Sequence, residues 1–193
     1  MEKKFTVITP TILRPSLAET CQSLDRQSYE RWQHLVVVDV PPQEILPAQR
    51  DLLESLQHPN RTILFCETAH RNFGNRCRHE AFGHVVGDYL LYLDDDDEYV
   101  GEVFAVLNRE ISEEVWGVFP VERFGHIFFN VPPAICHTTS NQFFYRPLYP
   151  WPDNDSYMAD GELVELLCAR HPDYLVVNSE PLARVTRQGM GKL

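Results

Sequence analysis

The chain has 193 residues, enough for one domain that buries well over half of its unfolded surface. Seventeen Lys and Arg stand against 28 Asp and Glu, a formal net charge of −11, and that balance excludes the broad basic face a nucleic-acid-binding protein presents. No apolar run approaches the roughly 20 residues of a membrane span, and Met1-Glu2-Lys3-Lys4 leads into a strand rather than an apolar signal core, so the expected location is cytoplasmic.

Phe5-Thr6-Val7-Ile8-Thr9-Pro10 is β-branched and aromatic up to a proline. It predicts a first strand that leaves its sheet at the carboxyl end, with Thr9, Pro10 and Thr11 lining a cleft. Ser16 with Glu19 forms a capping-box pattern, and the stripe Leu17, Cys21, Leu24 predicts a helix to about Gln27, opening a βαβ unit. Trp32 to Val40 reads as a second strand, apolar through Leu35-Val36-Val37-Val38, with Asp39 at its end as a cap or a ligand. Pro47 to Leu56 is a helix and Thr62 to Cys66 a third strand. The loop from Glu67 to Asn75 follows. Arg71, Arg76 and Arg78 cluster around it, able to meet phosphate oxygens or an acidic loop, while Asn72 and Gly74 suit a close approach to a ligand.

Phe73, Cys77, Ala81 and Val85 recur at helical spacing, and Gly87 reads as the stop of a helix ending near Val86. Tyr89-Leu90-Leu91-Tyr92-Leu93 lacks polar alternation, as a central strand covered on both faces does, and runs directly into Asp94, Asp95, Asp96 and Asp97. Adjacent carboxylates repel, so the run needs a solvated turn or a cation. Its place at a strand's carboxyl end, where open α/β sheets bind ligands, favours a cation of the Mg²⁺ or Mn²⁺ type beside a diphosphate.

Val103, Phe104 and Leu107 mark a short helix and Val115 to Phe119 a further strand. Residues 124–157 are aromatic, proline-rich and aperiodic. His126 and His137 have no partner at ligand spacing and receive no role. Asp160, Glu162 and Leu163 open a helix with stripe Leu163, Leu166, Leu167, and Asp173 to Asn178 is the last predicted strand. Cys21, Cys66, Cys77, Cys136 and Cys168 are odd in number without a Cys-x-x-Cys pair, as expected of reduced, packed thiols.

The stretch from Arg78 to Asp97 resembles the metal-binding segment of family-2 glycosyltransferases of the GT-A fold. There a helix carrying Arg-Asn leads to Ala-x-Gly-x-Tyr, an apolar strand and Asp-x-Asp-Asp. Arg78, Gly87, Asp88, Tyr89, Leu93, Asp94, Asp96 and Asp97 stand in those places, with His79 for the Asn and His84 where a small residue is common. The resemblance spans about Phe5 to Arg187. It implies a single α/β GT-A domain over residues 1–193 with a mainly parallel central sheet flanked by helices. Residues 1–99 would form the nucleotide- and metal-binding half and 100–193 the acceptor side. Such a domain would perform inverting, metal-dependent transfer of a sugar from a UDP- or GDP-linked donor to a hydroxyl of a saccharide, lipid or other acceptor. A lipid acceptor would bring peripheral membrane contact.

By the same resemblance Asp94 and Asp96 hold Mn²⁺ or Mg²⁺, and Asp160, in the place of the Asp of Glu-Asp-x-Glu-Leu, is the general base. Thr9, Pro10, Thr11, Asp39, Arg78, Asp94, Asp95 and Arg187 would meet the donor, Asp39 at its base and ribose. The aromatics of 124–157 supply sugar-stacking faces or core. This chain departs from the family at three places. Val40-Pro41-Pro42-Gln43 replaces Asp-Asp-Gly-Ser, Ala159 replaces a Glu, and Arg184 and Arg187 stand where many members carry a metal-contacting His. Those departures keep open a degenerate domain that binds nucleotide or partner without turnover. A nucleotidyltransferase is the lesser alternative, since Thr9 to Ser16 lacks the glycines of its phosphate loop.

Overall fold

A computed structural model describes residues 2–129, 131–133 and 139–186. Its elements run β1 (Phe5–Thr11), α1 (Leu17–Asp25), β2 (Trp32–Val38), α2 (Pro47–Ser55), β3 (Arg61–Phe65), α3 (Asn75–Ala81) and β4 (Tyr89–Tyr92). They continue as β5 (Asp97–Tyr99), α4 (Val103–Glu110), β6 (Trp116–Val118), β7 (Val121–Arg123), β8 (His126–Phe128), β9 (Phe143–Tyr145), α5 (Ala159–Arg170), β10 (Leu175–Val176) and β11 (Ala183–Val185). Seven strands form one sheet in the order β10-β6-β9-β4-β1-β2-β3, and β5-β11-β7-β8 form a second, smaller one.

The apolar strands of the sequence are the parallel heart of the large sheet: β1 pairs with β2 and β4, and β2 with β3. Burial on both faces is what their unbroken apolar character requires. Register then decides where the functional residues emerge. Thr11 lies opposite Val38, Ile8 lies opposite Tyr92, and the Asp39 amide donates to Thr11 O at 2.8 Å, so Asp39 and the run from Asp94 leave the sheet at one edge. β9 enters antiparallel between β4 and β6, which makes the sheet mixed at that side.

The core lies on both faces of the sheet. Phe5, Trp32, Tyr89, Phe104 and Phe144 pack with Leu107 on one side, and Tyr92, Trp116, Tyr145 and Trp151 with Leu163 and Leu167 on the other. Each such side chain contributes on the order of 1.5–3 kcal/mol by burial. The aromatics at Phe143, Phe144, Tyr145 and Trp151 are therefore core, and Tyr92 and Tyr145 share a hydroxyl contact of 2.7 Å. His34 is buried between Arg61, whose Nε donates to Nδ1 at 2.9 Å, and Thr9, whose Oγ1 lies 2.9 Å from Nε2. Burial and the Arg61 charge hold its pKa well below the usual value, so it stays neutral.

Several local expectations are corrected. Ser16 has helical backbone angles (φ −57°, ψ −24°) and makes no cap hydrogen bond, because an N-cap needs an extended backbone to aim its side chain at the first amides. Helix α3 starts only at Asn75. Phe73 lies outside it with φ 58° and is 53% exposed, and the helix tightens into a 3-10 turn over Phe82–His84. Gly87 does not stop that helix; a Cβ there would fall 2.6 Å from the Thr6 amide nitrogen, so glycine is needed for close packing on β1. The second sheet was not predicted at all, since strands of three residues carry no readable period.

Candidate active site

A cleft of about 710 Å³ opens at the shared carboxyl edge. Pro10, Thr11, Asp39, Arg78, Asp94, Asp95, Asp96 and Asp160 all line it. Thr9 does not. It is fully buried with its hydroxyl turned to His34, because strand alternation points it away from its neighbour Pro10. Arg187, His137 and Cys136 lie outside the described residues.

Asp39 organises one wall. Its two carboxylate oxygens accept the backbone N–H groups of His70 at 2.7 Å and Arg71 at 2.9 Å. These charge-assisted bonds hold a loop in which Arg71 (φ 55°) and Phe73 (φ 58°) both have left-handed backbones. The strand-end cap is therefore real, and a carboxylate with about four acceptor sites keeps capacity for a ligand donor. Gly74 closes the loop at φ +76°, where a Cβ would meet Pro10 Cβ at 2.6 Å and Arg78 Nη1 at 3.1 Å.

The four carboxylates split within a turn closed by the Asp97 amide on Asp94 O at 3.1 Å. Asp95 and Asp97 turn inward. Asp95 accepts from Thr11 Oγ1 at 2.6 Å and Arg14 Nη1 at 2.9 Å, and Asp97 from Asn141 Nδ2 at 2.8 Å and the Thr186 amide at 3.1 Å. Asp95, expected at the donor, thus has both oxygens engaged by the scaffold. Asp94 and Asp96 face the cleft. Asp94 is 39% exposed and pairs with the Arg78 guanidinium, with Ser140 Oγ 3.4 Å from each oxygen. Among the described residues Asp96 has only Arg14 Nη1, at 3.5 Å, as a charged partner. Thr186 donates its hydroxyl to the Asp96 carbonyl.

Burial, then the charges of Asp94 and Asp95, push the Asp96 pKa up to about 6. Burial, then Asp94 and Asp96, push Asp97 up to about 8. The edge carries more negative charge than its arginines neutralise, and its outward donors are carboxylate oxygens. That combination fits a hard divalent ion, which takes one or two carboxylates and completes its shell with phosphate oxygens and water. Asp94 and Asp96 are the residues that would hold it.

Arg78 links the walls. It is buried, with Nη2 on Asp94, Nη1 donating to Phe73 O at 2.8 Å and its guanidinium 4.7 Å from the Trp151 ring centre. Its Nε is buried with no partner among the described residues. Arg76 is instead held at the surface by Glu80 and Asp153. Arg184 is tied to Glu98 at 2.8 Å and Glu122 at 3.0 Å, away from the cleft lining. Asp160 is the second residue of α5 and accepts from the Gly161 amide at 2.8 Å. Met158, not Asp160, is the N-cap. Burial raises the Asp160 pKa, with Arg78 opposing and Asp94 reinforcing the shift. Raising a carboxylate toward neutrality strengthens it as a base.

Sequence reasoning did not single out Arg14, Ser140, Asn141 or Thr186. Arg14 follows Leu13, whose φ of 65° turns the chain back over the acidic run, and nothing in the local pattern signals that turn.

A mixed sheet flanked by helices, with acidic side chains converging beyond its parallel strands, defines a GT-A glycosyltransferase fold. The profile of glycosyl transferase family 2 matches residues 6–164, and the chain belongs to that family. No curated protein matches it. Among solved structures, S. aureus TarS 1–349 in complex with UDP-GlcNAc superposes with a TM-score of 0.74 at 17% identity, covering 96% of this chain and 59% of that one. TarS 1–349 in complex with UDP gives 0.71 at 18%, covering 94% and 60%. Mannosyltransferase PcManGT from Pyrobaculum calidifontis, in complex with GDP-Man and Mn²⁺, gives 0.70 at 16%, covering 98% and 59%. The chain thus spans about 60% of the length of these structures.

Proposed function

We propose that the chain carries out inverting, divalent-metal-dependent transfer of a hexosyl group from a nucleoside-diphosphate sugar to an acceptor hydroxyl. The carrying observation is that Asp39, the Asp94/Asp96 pair and Asp160 line one cleft. Family membership and structural neighbours bound to UDP-GlcNAc and GDP-Man support the donor class.

In this reading residues 1–99 bind the donor and 100–193 shape the acceptor side. Asp39, Pro10 and Thr11 form the nucleoside wall, and Asp94 and Asp96 hold Mn²⁺ or Mg²⁺. The ion supplies neutralisation of charge on the departing diphosphate. Arg78 presents a fixed guanidinium to the same charge and holds Asp94 in place. Asp160 takes the proton of the acceptor hydroxyl, which attacks the anomeric carbon opposite the leaving group. A positioned base of this kind contributes about 10²–10⁴-fold. Arg187 is retained as a candidate diphosphate contact and Asp95 as support for the pair beside it. Among the described residues no helix is long and apolar enough to cross a membrane, and we place the activity in the cytoplasm, with saccharide or lipid hydroxyls as acceptors.

The test is a panel of UDP- and GDP-sugars with Mn²⁺, read as transfer and as donor hydrolysis, for wild type and Asp160→Asn. Loss of transfer with donor binding retained is expected; equal rates remove Asp160 from the mechanism. Calorimetry of UDP and GDP with Mn²⁺ should show binding weakened in Asp96→Ala, and unchanged binding removes the metal role. An absence of both transfer and hydrolysis across the panel, with nucleotide still bound, would assign the degenerate reading.

A further inference from the structure

We propose that Cys66, His70, Cys77 and Glu80 form a second metal site, for a thiophilic divalent ion of the zinc class, behind the Asp39 wall of the cleft. The four residues come from the end of β3, the loop after it and helix α3. Cys66 Sγ is the shared vertex: it lies within 4.8 Å of a His70 ring nitrogen and a Glu80 oxygen in one cluster, and of Cys77 Sγ and an Asp39 oxygen in another. The two sulfurs are 3.5 Å apart. Zinc–sulfur bonds of about 2.3 Å at tetrahedral angles put two thiolates about 3.8 Å apart, so the pair needs only a small adjustment to share an ion.

The remaining donors, His70 and Glu80, meet the sulfur pair at Cys66. His70 Nε2 is buried without a hydrogen-bond partner among the described residues and stands 3.7 Å from Glu80 Oε1. Glu80 is held in turn by Arg76 Nε at 2.8 Å, an outer contact of the kind that orients metal ligands. Asp39 sits beside the sulfurs, but its oxygens already accept the His70 and Arg71 amides, which makes it outer support. Both sulfurs are buried, whereas His70 and Glu80 reach the surface and provide an entry path. Two sulfurs with an imidazole select zinc-class ions over Mg²⁺ and Mn²⁺, so this site is chemically distinct from Asp94/Asp96.

Cysteine binds an ion of this class as the thiolate, not the thiol. Uptake of one ion therefore converts two thiols to thiolates and releases two protons to solvent, so affinity falls as pH falls. Occupancy would pin both ends of the segment whose amides meet Asp39 and whose Phe73 carbonyl holds Arg78. The proposal does not rest on the glycosyl-transfer reading, and its test uses no turnover.

The reduced, chelator-treated protein is titrated with Co²⁺ and then Zn²⁺. Expected are one equivalent bound, a thiolate-to-cobalt charge-transfer absorption that Zn²⁺ abolishes and excess Mn²⁺ does not, and a higher melting temperature with Zn²⁺. Cys66→Ser should lose the absorption. His70→Gln, at a partly exposed position, should fold normally and bind at least about 10–100-fold more weakly, the scale on which even outer-sphere changes act. No thiolate absorption in the wild type, or an unchanged zinc affinity in a folded His70→Gln, would overturn the site. So would isolation of a Cys66–Cys77 disulfide from protein whose reduced form takes up no metal.

Discussion

Replacing Asp96 with Asn should stabilise the metal-free protein at pH 8 while weakening the divalent-ion binding proposed for Asp94 and Asp96. Asp96 is buried to 11% side-chain exposure, next to Asp94 and Asp95, with one arginine contact at 3.5 Å. Its pKa is raised from 3.8 to about 6. A group whose folded pKa is raised favours the fold fully only below its unfolded pKa, and that contribution is lost as pH rises through the folded value. At pH 8 the raised pKa opposes folding by up to about 3 kcal/mol, since each tenfold change in proton affinity is worth roughly 1.4 kcal/mol. Asn carries no charge and escapes the penalty. For a domain of this size 1 kcal/mol corresponds to roughly 2–4 °C, so the variant should melt up to about 6–12 °C higher at pH 8. The gap should shrink steadily toward pH 4, where Asp96 is protonated in the folded state and partly so in the unfolded chain. Calorimetric melting of chelator-treated wild type and variant from pH 4 to 8 reads this directly, and Mn²⁺ should raise the wild-type melting temperature but not the variant's. A variant that melts at or below wild type at pH 8 would refute the argument that the acidic run is an unneutralised charge awaiting a cation. Comparing the two proteins removes the contribution of His34, whose lowered pKa gives stability that rises with pH through the range below 6.5.

Gly74→Ala should lower stability by about 1–3 kcal/mol, since it adds a Cβ 2.6 Å from Pro10 Cβ at φ +76°, and urea unfolding measures it. Arg78→Lys should preserve the fold but cut kcat/KM by roughly 10–150-fold, the equivalent of the 1.5–3 kcal/mol of one charge-assisted bond, because an ammonium cannot bridge Asp94, Phe73 O and the Trp151 face together. Steady-state kinetics at saturating Mn²⁺ decides it. Asp39→Ala should free the loop at residues 70–74, seen as faster amide exchange at His70 and Arg71, and should raise the donor KM more than it lowers kcat. In Asp160→Glu and wild type, the acidic limb of the kcat profile should fall above the ordinary carboxylate range, in keeping with the upward shift from burial, and should vanish in Asp160→Asn.

Much of the fold was legible because its central strands are covered on both faces and so are apolar without interruption. Leu35 to Val38 and Tyr89 to Leu93 could hardly be anything else, and their parallel pairing fixed the edge at which Asp39 and Asp94 appear. The second sheet was illegible for the opposite reason. Its strands are three residues long and half solvated, and one of them begins at Asp97, inside a run that reads as a loop. Phe73 illustrates a subtler failure: its spacing to Cys77 and Ala81 is helical, yet Gly74 takes the left-handed conformation and starts the helix after it.

For the site, spacing identified the acidic run but could not apportion it. Four identical residues in a row are equivalent as sequence, and only the turn that the Asp97 amide closes on the Asp94 carbonyl sends Asp95 and Asp97 to Thr11, Arg14, Asn141 and Thr186 and leaves Asp94 and Asp96 to the cleft. The partners that enforce this division lie 44 to 89 positions away along the chain, beyond any local period. The inward pair is what makes the outward pair reactive. Asp95 and Asp97 fix the backbone at rigid neighbours, and the Asp95 charge helps raise Asp96, so the positions that look redundant in the sequence set both the aim and the charge of the two that would hold the ion.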